Sequence, residues 1–224
     1  MSIPSQEQVT LLTDYDTDSA YSLAYQNLYA NISFNWNREQ VMQQTVLLTT
    51  PTTYVGQAAV ATNVAIAAAQ SGTPTIIVDA DLHAPTLQHR FGINESTGLS
   101  DLLAQKTRSS VANTLCDTFI PRLRLLCAGT TQLQGISMLF ATRLRDVIAN
   151  LRQFLAETEH EPSIIIFNGP AVLTGTDAAL ISDIVNQTFL TIVSGRTTRR
   201  QAKQAKEQLQ HAHAQLTGII MLNV

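Results

Sequence analysis

Short apolar runs alternate along this chain with longer stretches of helical periodicity. The runs fall at residues 45–49, 75–78, 123–127, 164–167, 189–193 and 219–222. Helical spacing dominates near 57–70, 136–158, 175–186 and 198–214. Runs that are apolar on both faces need cover on both sides, and a repeated strand-then-helix order needs right-handed crossovers. The expected fold class is α/β, a three-layer, doubly wound, mostly parallel sheet. At the front, residues 1–15 are polar and expected to be mobile. The segment "DTDSAYSLAYQNLYANISF" then places Tyr21, Tyr25, Leu28 and Ile32 on one face of a helix over about 16–35, with Asp16 or Asp18 as its cap. No internal repeat, low-complexity tract or linker interrupts the pattern, so a single domain over 1–224 is expected.

Composition narrows the function classes. Of 224 residues, 45% are apolar and 14% charged, which describes a folded chain and argues against disorder. The formal charge of −3 provides no global basic field, so no nucleic-acid partner is expected. The first residues have neither the charged start nor the apolar stretch of a secretory leader. No window approaches the roughly 18 apolar residues that a spanning helix needs. The expectation is a cytoplasmic protein without a transmembrane segment. Cys116 and Cys127 match no metal or redox spacing and are expected as buried thiols.

In a parallel sheet, ligands bind beyond the C-terminal strand ends. Four segments lie there: "TTPTTYVG", "DADLHAP", "NGPA" and the closing "LNV". The first belongs to "TVLLTTPTTYVGQAAVATN", which has the strand–turn–helix layout of a phosphate-binding loop. The second supplies Asp79 and Asp81, one residue apart at a strand end, a spacing that suits Mg²⁺ through water. Equally, Asp79 can serve as a cap for backbone amides. Asn168 and the glycine after it also read as a turn.

Taken in order, these strand ends resemble the cytoplasmic kinase domain of the bacterial tyrosine autokinases of capsule and exopolysaccharide assembly. Those kinases belong to the MinD/ParA-like branch of P-loop ATPases. The resemblance runs from about Asp18 to Asn223, and is densest over "AVATNVAIAAAQSGTPTIIVDADLHAPTLQHRFGINESTGLSDLL". "LRLLCAG", "SIIIFNGPA" and "QLTGIIMLNV" look like the family's later strands. It implies a sheet of the P-loop NTPase type and a Mg·ATP or Mg·ADP site.

The resemblance places that site on Tyr54, Val55, Gly56, Gln57, Ala58, Ala59, Asn168 and Asn223, with Asp79 and Asp81 as catalytic and metal candidates. Several of these positions depart from the family pattern. Gly56 keeps the last glycine, but Gln57 stands at the lysine, Ala58 and Ala59 at the hydroxyls, and Tyr54 at an earlier glycine. Asn168 replaces an aspartate, and His83 a basic residue. Each lost charge-assisted bond removes roughly 1.5–3 kcal/mol. Two or three of them weaken Mg·ATP on the order of a thousandfold or more. No tightly bound cofactor is therefore expected, only Mg·ATP or Mg·ADP at low affinity. Asn223 matches a position that contacts adenine.

The family's Glu-x-x-Arg-x-x-Arg ring motif falls on Leu23, Gln26 and Tyr29, all uncharged, so any oligomer would not use it. No C-terminal tyrosine cluster occurs up to Val224, which a chain boundary could explain.

The expected function is a catalytically degenerate kinase-like scaffold or regulator in exopolysaccharide assembly. Its expected partner is a membrane adaptor (co-polymerase) or an active kinase paralogue, which would hold it peripherally at the inner membrane. One alternative is a weakly active tyrosine kinase or ATPase using Asp79 and Asp81. A second is a MinD/ParA-like positioning protein, docking through Arg196, Arg199, Arg200, Lys203 and Lys206. That basic run reads first as a solvated helix face. The triplet Asp14, Asp16 and Asp18 starts like a calcium loop but lacks its glycine and its glutamate.

Overall fold

A computed structural model describes residues 11–37, 39–54, 56–94, 97–104, 110–131 and 138–223. The expectations for residues 1–10, for Val55 and for the first two positions of the helix near 136–158 lie outside the described residues.

Among the described residues, seven strands form one sheet: β1 (Gln43–Thr49), β2 (Thr75–Asp79), β3 (Leu115–Asp117), β4 (Leu123–Leu126), β5 (Ser163–Asn168), β6 (Gln187–Val193) and β7 (Leu216–Leu222). Their order is β3-β4-β2-β5-β1-β6-β7. All neighbours are parallel except β3, which pairs antiparallel with β4 at one edge. The six expected runs are all strands. β3 was not expected, because three residues at an edge leave no periodic signal.

The helices are α1 (Ala20–Phe34), α2 (Gln57–Gln70), α3 (Leu87–Arg90), α4 (Leu99–Ala104), α5 (Met138–Thr158), α6 (Asp177–Ser182) and α7 (Arg199–His211). Alternation along β1 makes the three layers. Val46 and Leu48 face a cluster with α1 and α2, while Leu47 faces Leu144 and Leu151 of α5 on the other side. A smaller cluster joins Leu190 of β6 to Ala205 and Leu209 of α7.

Helix α2 is buried along its length, from Gln57 to Ala69. Alanines favour helix and are small enough for α1 to pack over α2 while α2 lies on the sheet. The buried amide in its middle is satisfied: Asn63 accepts from Leu12 N at 3.0 Å and donates to the Tyr21 hydroxyl at 2.8 Å.

That contact revises the expectation of a mobile stretch through residue 15. Leu12 is only 2% exposed and packs in the main core, with a 3-10 turn over Leu12–Asp14. The cap of α1 is also revised, from Asp16 or Asp18 to Ser19, whose hydroxyl accepts from Ser22 N at 3.1 Å. Tyr25, Tyr29 and Ile32 are buried, and Tyr21 and Leu28 pack against them half-buried. Among the described residues, no helix is long and apolar enough to cross a membrane. Cys127 is buried and Cys116 half-buried.

Candidate functional site

Because β1 lies between β5 and β6, its C-terminal loop borders the ends of strands that the chain reaches by winding in opposite directions. The ends of β1, β2 and β5 enclose a cavity of about 370 Å³. Tyr54, Gln57 and Ala58 line it from the loop after β1, Asp81 and Thr86 from the loop after β2, and Asn168 from the end of β5. Six of the expected site residues, counting Asp79 behind the wall, thus come together. Ala59 is buried in the first turn of α2, its amide donating to Gly56 O at 3.0 Å. Asn223 lies exposed just past β7 and does not line the cavity.

The loop after β1 satisfies its own donors. Gln57 N donates to Tyr54 O at 3.0 Å. The Gln57 side chain, largely buried, donates through Nε2 to Gly169 O and accepts at Oε1 from the Thr50 hydroxyl at 2.7 Å. The amide at the lysine position therefore cross-ties the β1 and β5 loops to the start of α2. Gly56 has φ −85°, an ordinary conformation, so its glycine is not required by backbone geometry. Its lack of a side chain makes room for the Tyr54 ring: a Cβ at residue 56 would stand 2.4 Å from Tyr54 Cε1, and the ring would have to shift. The outer partner of that ring is Arg196, from the turn after β6, with its guanidinium carbon 5.4 Å from the ring centroid.

Asp79 and Asn168 are register partners on β2 and β5, so their side chains lie side by side. Asn168 Nδ2 donates to Asp79 Oδ1 at 3.0 Å, and Asp79 Oδ2 accepts from Thr86 N and Leu87 N, each at 2.9 Å. Asp79 thus caps the short helix α3, as its alternative reading required. It is 1% exposed, and burial pushes its carboxyl up to about 6 against the opposing pull of those three donors. Asp81 accepts from Ala84 N at 3.2 Å. His83 turns instead to Asp177 at the start of α6, at 3.0 Å. Two buried atoms at this site have no partner among the described residues, Asn168 Oδ1 and Thr86 Oγ1. After Asn168, Gly169 is needed for close approach, since a Cβ there would meet Leu47 Cδ1 at 2.4 Å.

Metal-ligating residues are sparse. Among the described residues no three His, Cys, Asp or Glu side chains gather as a metal set. The ring-motif positions diverge in fate: Leu23 is exposed, while Tyr29 is buried with its hydroxyl 2.6 Å from Thr73 Oγ1. The basic residues of α7 lie on its exposed face, opposite buried Ala205 and Leu209.

The residue that sequence reasoning missed is Asp101, in the "GLSD" segment. It is largely buried, and its carboxylate accepts from Gly98 N at 2.8 Å, Thr130 N at 2.9 Å and Thr131 N at 3.0 Å, and from both threonine hydroxyls. Burial raises its pKa, but these donors outweigh it and hold the carboxyl below its ordinary value. An acid four residues into a Gly-Leu-Ser-Asp turn, with paired threonines downstream, was the available signal.

No protein-family model matches the chain. The tyrosine-protein kinase YwqD of Bacillus subtilis is 26% identical over 217 residues, 97% of this chain and 87% of the relative. Among solved structures, the chimerical protein CapA2B2 superposes with a TM-score of 0.77 at 27% identity, covering 95% of this chain and 88% of the other. The cell-division ATPase MinD of Pyrococcus furiosus shares the fold alone, with a TM-score of 0.64 at 18% identity over 80% of this chain and 71% of its own. By similarity over nearly its whole length and by superposition of its fold, this chain is a homologue of the bacterial tyrosine-protein kinases, built on a MinD-like P-loop fold.

Proposed function

We propose that this protein is a catalytically degenerate kinase homologue that works as a scaffold or regulator in exopolysaccharide assembly, through a membrane adaptor or an active kinase paralogue. One observation carries the reading: at the lysine position, Gln57 spends both ends of its side chain and its backbone amide inside the protein. A triphosphate needs free amides and a positive charge at this place. The residues present do not fit a magnesium–nucleotide complex. Among the described residues no lysine or arginine lines the cavity, and Tyr54 lies against Gly56 where the loop would have to approach phosphates. Asp79 has both oxygens engaged, which leaves Asp81 as the remaining carboxylate for Mg²⁺. No catalytic step is therefore assigned to this site. The pathway and the partner rest on the family resemblance.

The test is calorimetric titration with Mg·ATP and Mg·ADP on the wild type and on Gln57→Lys/Ala58→Ser. Negligible wild-type heat up to about millimolar nucleotide is expected, with binding recovered in the variant. Micromolar wild-type affinity, or phosphate transfer from ATP that Asp79→Ala abolishes, would overturn the reading in favour of an active kinase or ATPase.

A further inference from the structure

β7 forms one edge of the sheet and pairs, among the described residues, with β6 alone. Soluble proteins usually blunt such an edge with a charge, a proline or a covering helix. Here the strand reads "LTGIIML", with neither charge nor proline, and its register with β6 is regular from Gly218 to Leu222. Ser194 N donates to Leu222 O at 2.8 Å, so Leu222 turns its backbone groups to β6, and Ile220 does the same by the alternation of a parallel ladder. The N–H and C=O of Ile219 and Met221 therefore point outward. Their side chains are 56% and 66% exposed. They are register partners of Leu190 and Ile192, which pack in the cluster under α7, so they lie on the sheet face that α7 covers. On α7, Gln208 reaches Gly175 O at 3.0 Å, which marks the flank turned to α6. Residues two apart in a helix stand about 200° around its axis, so Lys206 points to the opposite flank, toward β7. Arg199 and Lys203, seven and three residues before it, share that side. Lys203 has Glu207 at 3.7 Å, whereas Arg199 and Lys206 meet no carboxylate among the described residues.

We propose that this edge docks an extended, acidic segment of a partner protein, added as a further strand beside β7. Its backbone pairs with the outward groups of Ile219 and Met221, two of its apolar side chains cover theirs, and its flanking carboxylates meet the Arg199–Lys206 side of α7. A bilayer is a poorer occupant, because the outward N–H and C=O groups would lose water there and gain no partner. A second copy of this chain is poorer for another reason. Antiparallel pairing of β7 with its own copy places the two-fold axis perpendicular to the sheet, so both α7 helices lie on one face and turn like charges to each other across the joint. An acidic strand reverses the sign of that interaction. The edge lies outside the cavity at the β1 loop, and the proposal does not depend on how that cavity treats nucleotide.

The experiment is a nuclear magnetic resonance titration of the isotope-labelled full chain at constant ionic strength. The probes are acetyl-Glu-Thr-Val-Thr-Val-Thr-Glu-amide, whose valines and glutamates share one face when extended, and its counterpart with lysine at both ends. Saturable shifts of the Ile219 and Met221 amides are expected with the glutamate peptide, with slowed hydrogen exchange at both, and binding at least about tenfold weaker with the lysine peptide. Ile219→Lys puts a charge on the edge and should abolish the response. Arg199→Glu/Lys206→Glu changes only exposed side chains, should reverse the preference between the two peptides, and decides the matter should Ile219→Lys fail to fold. A glutamate peptide methylated at its valine and threonine nitrogens should be silent. Silence of the unmethylated glutamate peptide up to about 1 mM overturns the proposal. So does equal binding of the two unmethylated peptides, or binding that survives methylation. Peptide silence with co-sedimentation on phosphatidylglycerol vesicles, lost in Ile219→Lys, overturns it in favour of a membrane. A concentration-dependent dimer in analytical ultracentrifugation, lost in Ile219→Lys, overturns it in favour of a second copy.

Discussion

Replacing Asp79 by asparagine should stabilise this protein at neutral pH. The carboxyl is 1% exposed, and burial raises it from its ordinary value of 3.8 to about 6. A raised acid pKa means that the native state holds the proton more tightly than the unfolded chain does. Between pH 4 and pH 6 the unfolded state therefore releases this proton first, and stability falls as pH rises through that window. At 1.36 kcal/mol per tenfold change in proton affinity, the loss is about 3 kcal/mol once pH exceeds 6. Asparagine is the neutral isostere. Its oxygen can accept from Thr86 N and Leu87 N as Asp79 Oδ2 does, and its amide can donate to Asn168 Oδ1 if the Asn168 side chain flips. The variant should gain up to about 3 kcal/mol at pH 8 and little or nothing at pH 4, because protonated aspartic acid already resembles it. Urea denaturation of both proteins at pH 4, 5, 6, 7 and 8 isolates the difference, since every other titrating group is common to both. A gain that does not vary with pH, or a variant less stable than wild type at pH 8, would refute the assignment of burial as the dominant effect.

Two other positions should respond strongly. Asp101→Ala removes the acceptor for three backbone amides and two hydroxyls, and should cost about 3 kcal/mol or more in thermal denaturation. Because its folded pKa is depressed, wild type should also lose this contribution as pH falls below the ordinary carboxylate range, and Asp101→Asn should lose that pH dependence. Leu12→Ala should cost about 2–5 kcal/mol by urea denaturation, whereas a mobile N-terminal stretch predicts a change within about 0.5 kcal/mol.

The relation between sequence and site is clearest at Gln57. Its position after the first apolar run, at the start of an alanine-rich helix, was readable from spacing, and so was its lack of charge. Its actual employment was not, because its partner Gly169 is 112 residues away. Asp79 and Asn168 are similar: both were visible at strand ends, but their pairing across 89 residues follows from the β2–β5 register. The Tyr54–Arg196 contact joins two turns that are neighbours only because β6 lies beside β1. The cap of α1 was missed for a different reason, since Asp16, Asp18 and Ser19 are all competent caps and local pattern does not rank them.

Periodicity along the chain was enough for the six main strands, the principal helices and the parallel α/β arrangement, because side-chain direction repeats every two residues in a strand and every 3.6 in a helix. That information is local, and burial on both faces follows from it. The chemistry of the cavity is not local. Which buried donor meets which acceptor depends on how strands distant in sequence line up, and a buried polar group that finds its partner elsewhere in the fold is no longer available to a ligand. Tertiary structure alone decided that Gln57 and Asp79 are engaged, and that Asn168 Oδ1 is buried without a partner among the described residues.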